Sequence, residues 1–329
     1  MKKQEKIFVI GHKNPDTDSI CSAIAYCDIK NRTTQDSKYI AKRAGQINEE
    51  TEYVLNRFGV QPPGYLSNIG TQVKDMDIRL SPEANKSMSL KNAWDLMQEN
   101  SIVSLPIREK DGTLEGLITI GDIAKTYMDT TDSYLLSRAR TQYQRIAETI
   151  GGKVVEGNGH GYFIQGKIMV ATANPDKMKE YVEENDMIIM GNREEDHLQA
   201  IEQNVSCIIV GLGIEVTEKV LKLAHEKDII IISSPYDTFT ISRLINQSIP
   251  VKYIMKTENL VTFNTEDFTD DIQDVMIKHR HRAFPVIDKK GKCIGTISRR
   301  NFLDMHRKKV VLVDHNEKDQ AVDNIDKAE

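Results

Sequence analysis

The apolar residues of this chain are concentrated in short uninterrupted runs, and helices are predicted between several of them. The runs are residues 7–10 (IFVI), 168–171 (IMVA), 187–190 (MIIM), 207–210 (CIIV), 229–232 (IIII) and 310–313 (VVLV). Short apolar runs without alternation are typical of strands that are buried on both faces of a parallel sheet. Strands that alternate with helices predict an α/β fold with doubly wound sheets.

A histidine and two carboxylates follow the first apolar run. Residues 11–19 (GHKNPDTDS) come between that strand and a helix predicted over residues 20–29. Open α/β sheets bind their ligands at this end of a strand. Asp16 and Asp18 repel each other unless a cation lies between them, and together with His12 they form a donor set that suits Mn²⁺. The alternative is that Asp16 or Asp18 only caps the helix, which does not account for His12.

A second acid follows the last apolar run. Asp314 comes directly after residues 310–313, and His315 follows it. If both strands belong to one sheet, Asp314 can face the loop that carries His12. A carboxylate in such a place can bridge two metal ions about 3.5–4 Å apart, as in two-metal phosphoryl chemistry. We therefore expect residues 5–60 and 308–316 to form one sheet.

The composition narrows the class of protein. The 329 residues have a formal net charge of −5, which argues against a nucleic-acid partner. The apolar runs are far too short to cross a membrane, and the N-terminus leads into a strand without a signal peptide. The four cysteines show no zinc-binding spacing, so we expect reduced thiols and a cytoplasmic protein.

Both ends of the chain resemble the family II inorganic pyrophosphatases of the Asp-His-His phosphoesterase superfamily. The resemblance covers residues 1–66 and 308–329 and is specific in the first motif. It rests on residues 11–19, 20–26 (ICSAIAY), 43–51 (RAGQINEET) and 313–317 (VDHNE). It implies a Rossmann-like parallel-sheet catalytic domain in a homodimeric enzyme.

This resemblance implies a two-metal hydrolase of inorganic diphosphate. His12 and Asp16 then bind one Mn²⁺ or Co²⁺, and Asp18 binds a second. Asp314 bridges the two ions, His315 supports the site, and Mg²⁺ accompanies the substrate. The family's Asp-His-His motif, a further bridging Asp and the substrate-gripping domain are not found before residue 329. The chain as given therefore resembles a truncated enzyme, and we expect it to be inactive or weakly active.

The segment between these two parts contains an internal repeat. Each copy has the order helix, strand, glycine turn, strand, helix. The first strand of each copy is apolar and contains a proline. The matching stretches are residues 104–107 (SLPI) with 283–287 (AFPVI), and 116–123 (GLITIGDI) with 295–302 (GTISRRNF). This pattern resembles a tandem pair of CBS (cystathionine β-synthase) domains, which form a nucleotide-binding module.

The end of each copy carries polar groups that suit an adenine nucleotide. Thr119 and Ser298 are hydroxyls at strand ends, and a helix N-terminus there can receive phosphate. Asp122 can accept hydrogen bonds from both ribose hydroxyls. The second copy has Asn301 in that place, which weakens ribose binding. The expected ligands are AMP, ADP or a dinucleoside polyphosphate.

Residues 278–282 (KHRHR) are further candidates for nucleotide contact. Arg282 can meet phosphates and His281 can stack on adenine, while the alternative is a solvated helix end. Residues 132–247, between the copies, are similar to a DRTGG domain, although residues 191–194 (GNRE) lack its glycine pair. The turn at residues 211–213 (GLG) either cradles phosphate or simply joins a strand to a helix.

The sequence leaves three hypotheses. The first is a Mn²⁺-dependent pyrophosphatase regulated by adenine nucleotides. The second is a related metal-dependent phosphodiesterase or oligonucleotidase, and the third is an adenine-nucleotide sensor without catalysis. The predicted domains are a discontinuous catalytic domain, a first CBS domain, a DRTGG-like spacer that makes a dimer contact, and a second CBS domain. Their bounds are residues 1–66 with 308–329, 67–131, 132–247 and 248–307.

Overall fold

The computed structural model describes residues 5–66, 70–128, 132–171, 175–303, 305 and 309–313. The chain divides into two compact units. The first unit comprises Met1–Ile78, Phe263–His281 and Ser298–Glu329, and the second comprises Arg79–Thr262 and Arg282–Ile297. Asp314 and His315 lie outside the described residues.

The strands are short and are distributed over the whole chain. They are β1 (Glu5–Ile10), β2 (Ser37–Arg43), β3 (Gly64–Tyr65), β4 (Ser104–Arg108), β5 (Leu114–Thr119), β6 (Thr141–Gln142), β7 (Lys153–Glu156), β8 (Tyr162–Phe163), β9 (Ile168–Val170), β10 (Met187–Met190), β11 (Cys207–Val210), β12 (Ile230–Ser233), β13 (Phe263–Asn264), β14 (Phe284–Ile287), β15 (Cys293–Ile297) and β16 (Lys309–Leu312).

Helices connect most of these strands. They are α1 (Thr17–Thr33), α2 (Glu49–Arg57), α3 (Leu90–Glu99), α4 (Ile120–Met128), α5 (Leu135–Arg138), α6 (Tyr143–Thr149), α7 (Pro175–Tyr181), α8 (Glu194–Glu202), α9 (Glu218–Glu226), α10 (Thr238–Leu244) and α11 (Thr269–Lys278). Short 3₁₀ turns lie at Val73–Asp75, Ile245–Ser248, Val251–Tyr253 and Arg299–Phe302.

The first unit contains a parallel sheet in the order β16-β1-β2-β3. Ile7 pairs with Lys309 and Ile10 pairs with Leu312, so the last described strand lies beside the first. The Val313 amide extends this pairing by donating to the Ile10 carbonyl at 2.9 Å. The predicted sheet between the two distant segments is therefore confirmed as far as the structure describes them.

Helix α1 packs on this sheet through one apolar face. Ala23 and Cys27 are buried four residues apart and contact the fully buried Val9 of β1. Residues with this spacing lie on the same side of a helix. Burial also raises the pKa of the Cys27 thiol to about 11, so it behaves as an uncharged core group. The helix is longer than the predicted span of residues 20–29 because Asp16 caps it and starts it at Thr17.

The second unit contains a five-stranded sheet in the order β7-β12-β11-β10-β9. Strands β9 to β12 are parallel, and β10 and β11 are buried along their whole length. These strands confirm the apolar runs, with β12 displaced by one residue from the predicted 229–232. Strand β7 was not predicted, and it pairs antiparallel at the edge of the sheet.

The two repeat copies confirm most of the predicted element order. The first copy runs α3-β4-β5-α4, and the second runs α11-β14-β15. The expected final helix of the second copy is wrong within the described residues, where the 3₁₀ turn Arg299–Phe302 takes its place. Arg299 holds that turn by donating to the carbonyls of Met276 and His279.

Within the second unit, each copy is paired with the segment that precedes the other. Arg79, which precedes the first copy, exchanges two backbone hydrogen bonds with Thr296 of β15. Lys256, which precedes β14, exchanges two with Leu117 of β5, each 2.9 Å long. This reciprocal pairing gives the pseudo-symmetric arrangement expected of a tandem repeat.

The Lys256 segment approaches β5 so closely that only glycine fits opposite it. A Cβ atom at Gly116 would lie 2.8 Å from the Lys256 carbonyl oxygen and 2.9 Å from the Met255 sulfur. Atoms of a neighbouring backbone cannot move aside as the end of a flexible side chain can. Gly116 is therefore required for the pairing of the two copies.

We expect Gly116→Ala to lower the free energy of unfolding by about 1–3 kcal/mol, because the added methyl group overlaps the Lys256 backbone. Gly191→Ala is the matched control, since a Cβ atom there meets nothing within 4 Å, and we expect a change below about 0.5 kcal/mol. Urea unfolding monitored by the fluorescence of Trp94, the single tryptophan, measures both variants. Equal stability of the two variants would contradict the steric explanation.

Candidate functional site

The loop between β1 and α1 is held by two glycines that permit close packing. A Cβ atom at Gly11 would collide with the Ser19 hydroxyl. A Cβ atom at Gly45 would lie 2.5 Å from the Lys13 carbonyl oxygen and 2.6 Å from Pro15 Cδ. The loop therefore folds back on the start of its own helix and against the end of β2.

This folding brings the imidazole of His12 to the carboxylate of Asp16. His12 is buried, at 8% exposure, and its Nε2 lies 3.3 Å from Asp16 Oδ1. The Asp16 side chain is half-exposed, so the pair is open to solvent on one side. Two metal-ligating groups of the predicted set are thus adjacent at the carboxyl end of β1.

Asp16 also caps helix α1, as one alternative in the sequence predicted. Its Oδ1 accepts a hydrogen bond from the Ser19 amide at 2.9 Å. That amide and the neighbouring His12 hold the pKa of Asp16 below its usual range, although partial burial opposes the shift. The carboxylate therefore remains charged at neutral pH, as a metal ligand must.

Asp18 has a different position from His12 and Asp16. It is exposed in the first turn of α1, and its Oδ1 accepts a hydrogen bond from the Ser22 hydroxyl at 3.2 Å. In the ranges that the structure describes, no group of three or more His, Cys, Asp or Glu side chains is placed to share one metal ion. Two of the predicted ligands are brought together here, and Asp314 falls outside those ranges.

The residues present fit a divalent cation in two respects. An imidazole nitrogen and a carboxylate oxygen 3.3 Å apart can both contact one ion, and this mixed donor set suits Mn²⁺ and related metals. The Ser19 hydroxyl is buried in the same loop and has no hydrogen-bond partner among the described residues. A buried polar atom without a partner is uncommon in a folded protein and suggests a group that is missing from its surroundings.

Two further residues contact the surroundings of this loop, and sequence reasoning assigned them no individual role. Arg43 donates to the carbonyls of Gly45 at 2.6 Å and Pro63 at 3.0 Å. Thr51 is fully buried, and its hydroxyl lies 3.1 Å from that of Thr17 in the first turn of α1. Both lie in the segment of residues 43–51 that carried part of the family resemblance. Thr51 thus connects this segment to the first turn of α1, and Arg43 holds Gly45, which packs against Lys13 and Pro15 of the loop.

In the first repeat copy, Thr119 and Asp122 form a tight turn between β5 and α4. Asp122 Oδ2 accepts hydrogen bonds from the Thr119 amide at 2.9 Å and from its hydroxyl at 2.6 Å. The carboxylate is 18% exposed, and its Oδ1 is not used by this turn. The predicted nucleotide-binding pair is therefore assembled, with one carboxylate oxygen directed away from the turn.

In the second copy, Ser298 and Asn301 form the same turn with a neutral side chain. Asn301 Oδ1 accepts from the Ser298 amide at 2.7 Å and from its hydroxyl at 2.9 Å. Its Nδ2 donates to the Asp77 carbonyl at 2.6 Å. The amide group is thus satisfied at both ends by the protein.

The remaining nucleotide candidates are exposed side chains. His281 stacks on His279, with ring centroids 5.7 Å apart and an angle of 11° between the planes. Arg282 is exposed next to it in the sequence. The turn at residues 211–213 does not present free amides, because those of Leu212 and Gly213 donate to the carbonyls of Tyr236 and Ser234 at 2.8 Å. This favours its interpretation as a strand-to-helix connection.

A search for membrane-spanning helices covered the described ranges. None of the helices there is both long enough and apolar enough to cross a membrane.

Comparison with known proteins identifies the repeat copies and the domain between them. The CBS domain family matches residues 77–129 and 251–308, and the DRTGG domain family matches residues 145–248. A similar solved structure is the crystal structure of the CBS and DRTGG domains of the regulatory region of Clostridium perfringens pyrophosphatase, complexed with the activator diadenosine tetraphosphate. The match covers 70% of the present chain and 100% of the chain in that crystal structure. The TM-score is 0.66 and the sequence identity 33%.

Relatives that are similar along the whole chain are pyrophosphatases. The cobalt-dependent inorganic pyrophosphatase of Clostridium perfringens is 38% identical over 327 residues, which are 99% of this chain and 59% of the relative. The probable manganese-dependent inorganic pyrophosphatase of Thermotoga maritima is 30% identical over 329 residues, which are 100% of this chain and 60% of the relative. The chain thus spans about three fifths of the length of these relatives. It contains two CBS domains with a DRTGG domain between them, the combination found in the regulatory region of the Clostridium perfringens pyrophosphatase.

Proposed function

We propose that the protein hydrolyses inorganic diphosphate to two phosphates with Mn²⁺ or Co²⁺, and that adenine nucleotides bound at its CBS domains regulate this reaction. The observation that carries the first part is the convergence of His12 and Asp16 at 3.3 Å, next to the buried Ser19, whose hydroxyl has no hydrogen-bond partner among the residues that the structure describes. The metal dependence and substrate named for the relatives support it.

In this proposal His12 and Asp16 bind one metal ion and Asp18 binds a second. Asp314 would supply the carboxylate shared by both ions, which is supported by the position of Val313 beside Ile10, and His315 would support the site. Bound divalent ions of this kind lower the pKa of a water molecule and polarise phosphoryl oxygens, and Mg²⁺ enters with the substrate. The chain's own contribution is to keep Asp16 charged through the Ser19 amide and to fix the imidazole in a buried position.

The regulatory part rests on the assembled turn of the first repeat copy. Asp122 Oδ1 can accept hydrogen bonds from ribose hydroxyls, since its other oxygen is already used by Thr119. The diadenosine tetraphosphate in the related regulatory region supports AMP, ADP or a dinucleoside polyphosphate as the ligand. His281 and Arg282 contribute stacking and charge, while Ser298 and Asn301 form the weaker second site.

The direct test is the release of phosphate from diphosphate by the full gene product with Mn²⁺ or Co²⁺, with and without AMP and diadenosine tetraphosphate. Metal-dependent release that changes with the nucleotide supports both parts of the proposal. Nucleotide binding without any hydrolysis would favour the second candidate function, an adenine-nucleotide sensor. That candidate is supported by the assembled Asp122 turn, whose hydrogen bonds involve none of residues 11–19.

We also propose that the protein is a homodimer in the cytoplasm. An apolar cavity of about 310 Å³ lies between α3, α4 and the turn at Ile245–Ser248, and Trp94 and Tyr127 at its rim are 38% and 41% exposed. An apolar depression with exposed aromatic residues is typical of an association surface. All four cysteines are free thiols, which supports a reducing compartment.

The division into domains is part of the same proposal. The discontinuous catalytic domain comprises residues 1–66 and 308–329. The first CBS domain comprises residues 67–131, the DRTGG-like domain residues 132–247 and the second CBS domain residues 248–307. The order of the CBS and DRTGG matches along the chain supports it.

We expect His12→Ala and Asp16→Asn each to weaken Mn²⁺ binding by more than the roughly 10- to 100-fold loss that follows removal of a supporting residue. Calorimetric or paramagnetic-resonance titration of the metal alone measures this without requiring activity. His160→Ala is the control, because this histidine is exposed in the second unit. Circular dichroism must show an intact fold, and unchanged Mn²⁺ affinity in both variants would remove the metal assignment.

Asp122→Ala is expected to weaken AMP binding by about 1.5–3 kcal/mol, the usual value of hydrogen bonds to a charged group. The matched control is Glu202→Ala, which removes an exposed carboxylate from α8. Isothermal calorimetry measures both variants against the parent chain. The ribose-binding role of Asp122 is wrong if AMP binds the two variants equally well.

Tyr127→Lys is expected to shift a dimer toward monomer, since the new charge would be buried in an apolar interface. Tyr53→Lys on α2 is the control, because Tyr53 is 68% exposed and lies in the other unit. Light scattering after size-exclusion chromatography reports the mass over a range of concentrations. A monomeric parent chain, or a Tyr127→Lys variant that remains fully dimeric, would exclude this surface.

A further inference from the structure

Lys256 lies beside the carboxylate oxygen of Asp122 that the turn of the first repeat copy does not use. Lys256 Nζ is 3.6 Å from Asp122 Oδ1, and the lysine side chain is 58% exposed whereas that of Asp122 is 18% exposed. This distance is longer than a hydrogen bond, so the two groups attract each other as opposite charges but are not hydrogen-bonded. An ammonium group and a carboxylate oxygen thus face one small, solvent-accessible gap.

The backbone of Lys256 is fixed in this place, while its side chain is more than half exposed and can reach a ligand. Two hydrogen bonds of 2.9 Å tie its amide and carbonyl to Leu117, and Gly116 allows that approach. The four-carbon stem of lysine carries three donors that can turn toward a new acceptor. The Lys256 ammonium group, which belongs to the segment before the second copy, therefore lies beside the Asp122 turn of the first copy.

The pseudo-symmetric position does not offer the same group. Arg79 pairs with Thr296 as Lys256 pairs with Leu117, but its guanidinium donates to the Asn100 carbonyl at 2.5 Å. The Arg79 guanidinium therefore already donates to a carbonyl of the protein. This difference makes Lys256 a property of the first site rather than of the repeat in general.

We propose that Lys256 binds the phosphate of the nucleotide whose ribose is accepted by Asp122, so that this site selects phosphorylated adenine ligands over adenosine. The proposal rests on the nucleotide binding proposed above and adds a specificity-determining residue to it. A ribose hydroxyl that donates to Asp122 Oδ1 takes up the oxygen that Lys256 now faces. The ammonium group is then free to turn to the phosphate, for which a lysine is a suitable point charge.

The test compares adenosine, AMP and ADP by calorimetry on the full chain and on Lys256→Met. We expect AMP and ADP to bind Lys256→Met about tenfold more weakly or worse, the loss that follows removal of a charged hydrogen bond. Adenosine should lose less than about twofold, as surface substitutions away from a contact change affinity little. Lys256→Arg should restore most of the AMP affinity. Lys252→Met removes an exposed charge from the same segment and should change nothing.

The possible results separate this proposal from the one on which it rests. An equal loss for adenosine and AMP would mean that Lys256 only positions Asp122, and the phosphate role would be wrong. Tighter binding of all three ligands to Lys256→Met would make the lysine a competitor of the ligand, which also overturns the proposal. If no adenine ligand binds the parent chain, nucleotide regulation itself fails. A selective loss of AMP and ADP, with a reduced dependence of AMP binding on salt, supports the role assigned to Lys256.

Discussion

Parallel hydrogen bonding between β1 and β16 is the constraint on which the first unit depends. It joins residues 7–10 to residues 309–312, which lie at opposite ends of the described chain. The entropy of closing a loop grows only with the logarithm of its length, so a long insertion between two paired strands costs little more than a short one. Because the strands are parallel, Ile10 and Val313 lie at the same edge of the sheet, and the loop of His12 starts there.

Close approach of one backbone to another is the device that both candidate sites use. In the loop between β1 and α1, Gly11 and Gly45 let residues 11–19 fold onto the start of α1 and against the end of β2. At the first repeat copy, Gly116 lets the Lys256 segment lie directly on β5. In each case a side chain that can bind a ligand is positioned by a contact made through its backbone. A methyl group at any of these glycines acts on the site through that contact.

The sequence was sufficient for elements whose signal is local. Strands β10 and β11 coincide with the apolar runs because they are buried on both faces. Strand β7 (KVVE) escaped prediction because an edge strand with charged ends has no continuous apolar run. The final helix of the second copy was predicted from the repeat pattern, but a 3₁₀ turn stands there, and Arg299 at its start donates to carbonyls of α11 and of the residue after it.

The candidate sites were predictable only as far as their motifs are contiguous. His12 with Asp16, and Thr119 with Asp122, are each separated by three or four residues, and the structure brings each pair together. Lys256 could not be found in this way, because its contact with Asp122 spans a long stretch of chain and depends on the Leu117 pairing.

The two repeat copies differ in one atom of the turn that follows their second strand, the turn of Thr119 with Asp122 and the turn of Ser298 with Asn301. In the first copy the group directed away from the turn is a carboxylate oxygen, which needs a donor and faces Lys256. In the second it is the amide nitrogen of Asn301, which already donates to Asp77. A ribose hydroxyl at the first turn would take the place of an ion-pair contact of 3.6 Å, whereas at the second it would have to replace a hydrogen bond of 2.6 Å, which contributes about 0.5–1.5 kcal/mol. Two turns of the same shape therefore differ in the group that they direct outward, a carboxylate oxygen in one and a bonded amide nitrogen in the other.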